Sequence, residues 1–128
     1  MKFAKVIYTI AGIWGLLILT PQYLLEGMIG RDHPPAITHP EYFYGFIGVG
    51  LAWQVAFLII ARDPVRFRPL MIACMIEKFS FLIACAVLYM RGRTSVPVFA
   101  ASLLDGLFGV LFVLAYLRTP VSQPLRHR

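Results

Sequence analysis

Charged residues are scarce in this chain. They make up 14% of its 128 residues, while hydrophobic residues make up 59%; an average soluble domain has about 25% charged residues. A soluble fold of this length has too little interior to bury so much apolar surface. The composition therefore excludes an ordinary soluble domain and indicates an integral membrane protein, whose apolar surface faces lipid.

Cysteine is also rare, and both cysteines, Cys74 and Cys85, lie in the same apolar segment. Along a helix their spacing corresponds to about 16 Å, whereas the Cα atoms of a disulfide lie within about 7 Å. The chain contains no Cys-x-x-Cys pair. This pattern argues against a thiol-redox membrane enzyme and favours two small apolar packing residues.

Histidine is absent from the apolar segments, which excludes a bundle with bis-histidine haem. His33 and His39 lie in one polar segment together with Asp32 and Glu41. These are metal-ligand types, but prolines follow both histidines, which is typical of a loop. We predict no metal site and no cofactor.

What the sequence does have is four long apolar segments, at 6–25, 42–61, 69–90 and 96–117. Each has the roughly 20 residues that a helix needs to cross about 30 Å of hydrocarbon. Segments of this length satisfy their own backbone hydrogen bonds in lipid only as helices. The sequence therefore predicts one all-α domain over 1–128, an antiparallel bundle of four transmembrane helices.

The positive charges are distributed unevenly among the connecting segments. Eight of them lie at the two termini and in the middle loop: Lys2, Lys5, Arg62, Arg66, Arg68, Arg118, Arg126 and Arg128. The other two loops contain only Arg31, Arg91 and Arg93. Because cytoplasmic loops are enriched in Lys and Arg, both termini and the middle loop are predicted to be cytoplasmic.

The distribution of the positive charges thus explains the net charge of +6 by the orientation of the protein in the membrane. We therefore predict no nucleic-acid partner. The basic ends are expected to contact anionic membrane lipids. The excess of Arg over Lys favours a bacterial source, and the expected location is the bacterial inner (plasma) membrane, crossed several times. The first apolar run exceeds the length of a signal-peptide core and lacks a small-x-small cleavage site, so we expect it to be retained.

Three ionisable residues lie within the apolar segments: Glu77 and Lys78 in the third, and Asp105 in the fourth. From the rise of a helix, all three fall in one layer of the membrane, within about one helical turn of each other. Gln54 of the second segment reaches nearly the same depth, next to Trp53. Ionisable residues at such depth indicate a functional site, and these five residues form the candidate site.

The contacts within this layer follow from helix geometry. Neighbouring positions of a helix point about 100° apart, so Glu77 and Lys78 are not expected to reach the same partner. We predict that Lys78 pairs with Asp105 and that Glu77 contacts Gln54 or water. The residues that share the helix face of Glu77 are mostly small: Ala73, Cys74, Ser80, Phe81 and Ala84.

Small residues at a spacing of four, which let membrane helices approach closely, recur in three segments: Gly48, Ala52 and Ala56; Ala11 and Gly15; Ala101 and Gly109 around Asp105. The polar layer therefore has three interpretations. It sets helix register, it forms a ligand or proton-handling site, or it is buried against another subunit.

The layout resembles the largely uncharacterised bacterial four-helix membrane proteins of the broad DoxX-like kind. The resemblance depends on three features: Tyr42-Phe43-Tyr44-Gly45-Phe46, Arg62-Asp63-Pro64-x-Arg66-x-Arg68-Pro69, and Asp105. The chain is also faintly similar to the emopamil-binding and sigma-2 receptor group. That similarity implies that Glu77, Asp105 and Gln54 face an intramembrane cavity for cationic amphiphiles or sterols.

Two main hypotheses for function follow. The first is a non-catalytic accessory or assembly component, a homo-oligomer or the subunit of a membrane complex, in which Lys78, Asp105 and the small-residue faces join helices. The alternative is a protein that binds a lipid or another apolar or amphiphilic small molecule, or isomerises it, through Glu77 and Asp105. A small proton-coupled transporter is a third hypothesis, which requires an aqueous path.

Overall fold

The computed structural model describes residues 2–32, 34 and 36–121, and these residues contain α-helix, one short 3-10 helix and no strand. The elements are: α1 Lys2–Leu19, a 3-10 helix Thr20–Leu24, α2 Glu26–Asp32, α3 Pro40–Arg62, α4 Leu70–Met90 and α5 Val96–Arg118. Four stretches are long and apolar enough to cross a membrane: Lys2–Leu24, Pro40–Arg62, Leu70–Met90 and Val96–Arg118. The prediction of an all-α protein with four candidate membrane spans is thus confirmed.

The first span is not one continuous α-helix. It begins at Lys2, ends as α-helix at Leu19 and continues as the 3-10 helix Thr20–Leu24, whereas the prediction was a single helix over 6–25. Pro21 explains the change, because it has no N–H to donate to the carbonyl group four residues earlier and its ring crowds that carbonyl.

The predicted loop at 26–41 contains the short helix α2, which sequence reasoning missed. Glu26 lies in its first turn and Arg31 in its last turn, and both charges interact favourably with the helix dipole. Seven residues are too few for a clear apolar period. His33 and Pro35, which belonged to the predicted loop, lie outside the described residues.

The helices pack as two pairs, α1 with α3 and α4 with α5. The pairs join mainly where α1 meets α5, whereas α3 and α4 make few contacts with each other. An aromatic cluster lies at the α1–α5 junction: the Tyr8 ring stacks on Phe112 at 4.3 Å, and Phe57 meets Phe112 edge-on at 5.0 Å between centroids. The bundle is therefore tightly packed on the α1–α5 side and open along α3 and α4.

Small residues explain why the two helices of each pair lie close together. A side chain at Gly15 of α1 would collide with Gln54 of α3. On the other pair, a Cβ atom at Gly109 of α5 would lie 2.8 Å from the Phe79 ring of α4. In lipid, close backbone approach replaces hydrophobic burial as the attraction between helices. Gly15 and Gly109 belong to the small-residue faces that the sequence indicates.

Candidate functional site: a polar groove between α3, α4 and α5

Lys78 is the centre of the intramembrane charges. Its side chain projects from α4 and is 7% exposed, with its Nζ atom 3.4 Å from Asp105 Oδ1 of α5 and 3.8 Å from Glu77 Oε2. Lys78 donates a hydrogen bond to Asp105, as predicted. The ammonium group also lies beside Glu77, which was not expected, because the long lysine side chain reaches around the helix despite the different direction of its Cβ atom.

Two aromatic rings complete the surroundings of this ammonium group. Lys78 Nζ lies 5.2 Å from the centroid of the Phe57 ring and 5.6 Å from that of Phe108. The negative face of an aromatic ring attracts a cation within about 6 Å. A charge that is costly in lipid is thus stabilised by two carboxylates and two rings within one chain.

Gln54 does not belong to this cluster. Of the two partners predicted for Glu77, Gln54 is therefore wrong, and water stays a prediction. Gln54 is 2% exposed and its Nε2 atom donates to the backbone oxygen of Gly50, 2.9 Å away. Its Oε1 atom has no hydrogen-bond partner among the described residues. Gln54 lies on the buried face of α3, against Gly15 of α1.

Glu77 and Asp105 instead open onto a groove between α3 and α4, with a volume of about 350 Å³. Their side chains are 22% and 26% exposed. The groove is lined by residues of three helices: Phe46, Val49, Gly50, Trp53, Glu77, Ser80, Phe81, Ala84 and Asp105. Apart from the two acids and Ser80, its walls are apolar. Trp53, a member of the predicted candidate site, lines this groove together with both acids.

The groove follows one face of each flanking helix. The α3 residues recur at the helical spacing of Phe46, Val49, Gly50 and Trp53, and the α4 face begins at Glu77 with the same spacing. Of the residues predicted to share the face of Glu77, Ser80, Phe81 and Ala84 line the groove, whereas Ala73 and Cys74 do not. On α3 the sequence prediction included Trp53 but not Phe46, Val49 or Gly50. Their spacing from Trp53 places them on the same face of α3 and could have predicted them. The same spacing, however, is also typical of residues on a helix face that contacts lipid.

The charges of the site do not balance. With all three groups ionised, Glu77 and Asp105 carry two negative charges against the single positive charge of Lys78. Glu77 Oε2 is a buried acceptor without a hydrogen-bond partner among the described residues, although Lys78 lies near enough for electrostatic attraction. Because both acids are partly exposed to the groove, the excess negative charge can attract a cationic group that enters it.

A second group of polar contacts lies where α2 meets the start of α3. Tyr44 donates a hydrogen bond to Glu26 Oε2 at 2.8 Å, and its ring stacks on Tyr23. His39 Nδ1 lies 3.1 Å from Glu41 Oε1. Within the described residues no three potential ligands are grouped for a metal ion, and the absence of a metal stays a prediction.

Comparisons with known proteins assign neither a family nor a function to this site. Neither the protein-family models, nor the curated proteins, nor the solved structures contain a match to the chain. The resemblance to DoxX-like proteins and to the emopamil-binding group therefore stays a prediction. Four long apolar helices among the described residues are compatible with a small multi-pass membrane protein.

Proposed function

We propose that this protein binds an amphiphilic small molecule whose polar part is a protonated amine, with that amine between Glu77, Asp105 and Trp53. The observation that supports this proposal is the excess negative charge at one end of an otherwise apolar groove. Lys78 neutralises one carboxylate, and a cationic ligand neutralises the other.

The shape and lining of the groove fit such a ligand. Small-molecule pockets typically have volumes of about 300–1,000 Å³ and apolar walls with a few polar groups; this groove has about 350 Å³. Trp53 lines the groove together with the two acids, and tryptophan is the aromatic residue that attracts a cation most strongly. Phe46 and Phe81, whose ring centroids are 6.2 Å apart, supply an apolar surface for the hydrocarbon part.

The accessory or assembly function is the second candidate. Its main support was the Lys78–Asp105 pair, and that pair is satisfied between α4 and α5 of one chain. What still favours assembly is the exposed position of Gly45 and Ala52 on α3, where a helix of another subunit is able to approach. This contact surface does not overlap with the acids of the groove.

The transporter hypothesis receives less support from the packing. A path for protons from the groove toward the end of the bundle that contains Arg62 has to pass the cluster of Tyr8, Phe57 and Phe112, whose side chains are fully buried. We therefore propose binding without transport. An isomerase activity would use the same two carboxylates and is a further step that binding alone does not require.

For the membrane arrangement we propose an antiparallel bundle with both termini in the cytoplasm of a bacterium. Contacts between α1 and α3 support the antiparallel part: Gly12 lies against Leu58 while Leu19 lies against Gly50, so residue numbers rise along one helix as they fall along the other. The excess of positive charge at the termini and the middle loop supports the orientation.

Binding can be measured through Trp53, because the chain has only one other tryptophan, Trp14. In a Trp14→Phe variant reconstituted in nanodiscs, the fluorescence of Trp53 reports on the groove during titration with hexadecylamine. We expect a saturable change with the amine and none with hexadecanol, which has the same chain length and no charge.

Removal of the acids provides the decisive comparison. Glu77→Gln with Asp105→Asn should weaken hexadecylamine binding by about tenfold or more, since hydrogen bonds to charged groups contribute about 1.5–3 kcal/mol. Glu41→Gln with Asp32→Asn, at exposed positions outside the groove, removes the same number of negative charges. This matched control should bind as the parent does. An identical response to amine and alcohol in all variants would refute amine binding at this site.

A further inference from the structure

One end of the bundle carries a strong positive charge that the groove does not use. Six basic residues lie there among the described residues, and we call them the basic face: Lys2, Lys5, Arg62, Arg66, Arg68 and Arg118. The only acidic residue of this region is Asp63. At the opposite end, residues 26–41 and 91–95 contain three acids and three arginines.

Contacts between three chain segments make the basic face a single surface. Arg68, in the connection between α3 and α4, donates from Nε to the backbone oxygen atoms of Tyr116 and Thr119 at 3.2 and 2.9 Å. The guanidinium group of Arg118 lies 4.6 Å from the centroid of the Phe3 ring. The start of α1, the α3–α4 connection and the end of α5 are therefore in contact.

The basic face is preorganised by contacts of its arginines with aromatic rings and backbone oxygen atoms. The Arg68 guanidinium group lies 3.7 Å from the centroid of the Tyr116 ring, which holds it on the surface. No ion pair within the described residues involves any of the six cations. The first turn of α1 contains Lys2 and Lys5 and no acid, so its positive helix end adds to the charge.

We propose that the basic face binds the phosphate groups of anionic lipids at the membrane surface. Arginine forms paired hydrogen bonds with phosphate oxygen atoms, and each Lys or Arg near an anionic bilayer adds to the attraction. Apolar side chains next to the cations are exposed, with Val6 at 49% and Leu117 at 69%. A bound lipid can therefore place its head group on Lys5 or Arg118 and its acyl chains on these neighbours.

This proposal is independent of the groove and of the amine ligand. Free phosphate shares the chemistry of the head group but has no acyl chain to lie against Val6 and Leu117. Native mass spectrometry of the full chain in a neutral detergent distinguishes the two sources. We expect adducts with dioleoyl phosphatidylglycerol, few with dioleoyl phosphatidylcholine, and none with inorganic phosphate.

A matched pair of triple variants tests the location. One variant replaces Lys2, Lys5 and Arg66 by Gln; the other replaces Arg31, Arg91 and Arg93 by Gln at the opposite end, so both lose three positive charges. At about fivefold per cation, the first should bind phosphatidylglycerol about 100-fold more weakly and the second should bind as the parent does. Circular dichroism checks that both variants keep their helix content.

Three results would overturn the proposal. Equal losses in the two variants would show that net charge alone attracts the lipid. Equal binding of phosphatidylglycerol and phosphatidylcholine would show that the phosphate charge is not recognised. Binding of inorganic phosphate that is as tight as that of the lipid would assign the basic face to a soluble anion.

Discussion

At the scale of single residues, the arrangement around Lys78 decides what the polar layer does. The ammonium group lies near Asp105 at 3.4 Å and near Glu77 at 3.8 Å, so it compensates both acids in part. The sequence predicts Asp105 as the partner of Lys78, because the two residues have the same depth along neighbouring helices. That depth follows from the rise per residue alone. The sequence does not predict the sharing with Glu77, because that depends on the rotamer of a long and flexible side chain.

The first prediction concerns this ion pair. Lys78→Met leaves two carboxylates without their cation and should lower the free energy of unfolding by about 3 kcal/mol, as when one partner of a buried pair is removed. Adding Asp105→Asn removes one of the two negative charges. The double variant should therefore be more stable than Lys78→Met alone, as measured by denaturant unfolding in one detergent.

An exposed pair of residues serves as the control for this comparison of single and double variants. Asp63 and Arg66 are three residues apart and both are exposed, so Asp63→Asn and Arg66→Met should have small and additive effects, within about 0.5 kcal/mol. If the Lys78 and Asp105 substitutions are also additive, the ion pair contributes no stability and the electrostatic description of the site is wrong.

At the scale of helices, the α1–α3 contact explains why Gln54 lies away from the acids. The face of α3 that contains Ile47, Gly50 and Gln54 is buried, and α1 presents Gly12 and Gly15 to it. The glycines remove the side-chain volume that would keep the helices apart. Gln54 therefore fills the space at Gly15, and Trp53, about 100° away around α3, is left to line the groove.

The second prediction concerns two glycines that occupy different environments. Gly15→Ala places a methyl group against the Gln54 side chain, whereas Gly45→Ala meets nothing within 4 Å. We expect Gly15→Ala to destabilise the protein by about 1–3 kcal/mol through overpacking. Gly45→Ala should be neutral or stabilising by up to about 1 kcal/mol, because alanine loses less conformational entropy in a helix.

Thermal unfolding in the same detergent compares the two variants, and a Gln54→Ala change should restore part of the loss in Gly15→Ala. If both glycine variants are equally stable, the close approach of α1 to α3 at Gly15 is not required. A loss of stability in both would instead indicate a general sensitivity of the helices to alanine.

At the scale of the whole molecule, the two ends of the bundle differ. One end carries the basic face, and the other carries α2 and the Tyr44–Glu26 contact. The weak contact between α3 and α4 opens the bundle on one side, and this opening forms the groove. The groove at which we propose amine binding is therefore open on the α3–α4 side of the bundle.

The third prediction is the topology. In a background with Cys74 and Cys85 replaced by Ala, single cysteines at Lys5, Arg62 or Arg93 are treated with a membrane-impermeant maleimide on spheroplasts. We expect labelling of the cysteine at position 93 alone, and labelling of all three after lysis. Labelling at positions 5 and 62 but not at 93 would show the opposite orientation. Labelling at only one of positions 5 and 62 would contradict the proposed antiparallel bundle.

The sequence by itself determined that the chain is all-helical, that it has four candidate membrane spans, and that Lys78 and Asp105 lie at one depth. Hydropathy and helical rise act along a single segment, so they are readable without the other helices. Only the tertiary structure decided that Gln54 faces α1, that Lys78 lies beside both acids, and that α3 and α4 part to form a groove. The place of Gln54 and the groove depend on the rotation of each helix about its axis, which is set by contacts between helices. The position of Lys78 beside Glu77 depends on the rotamer of the lysine side chain.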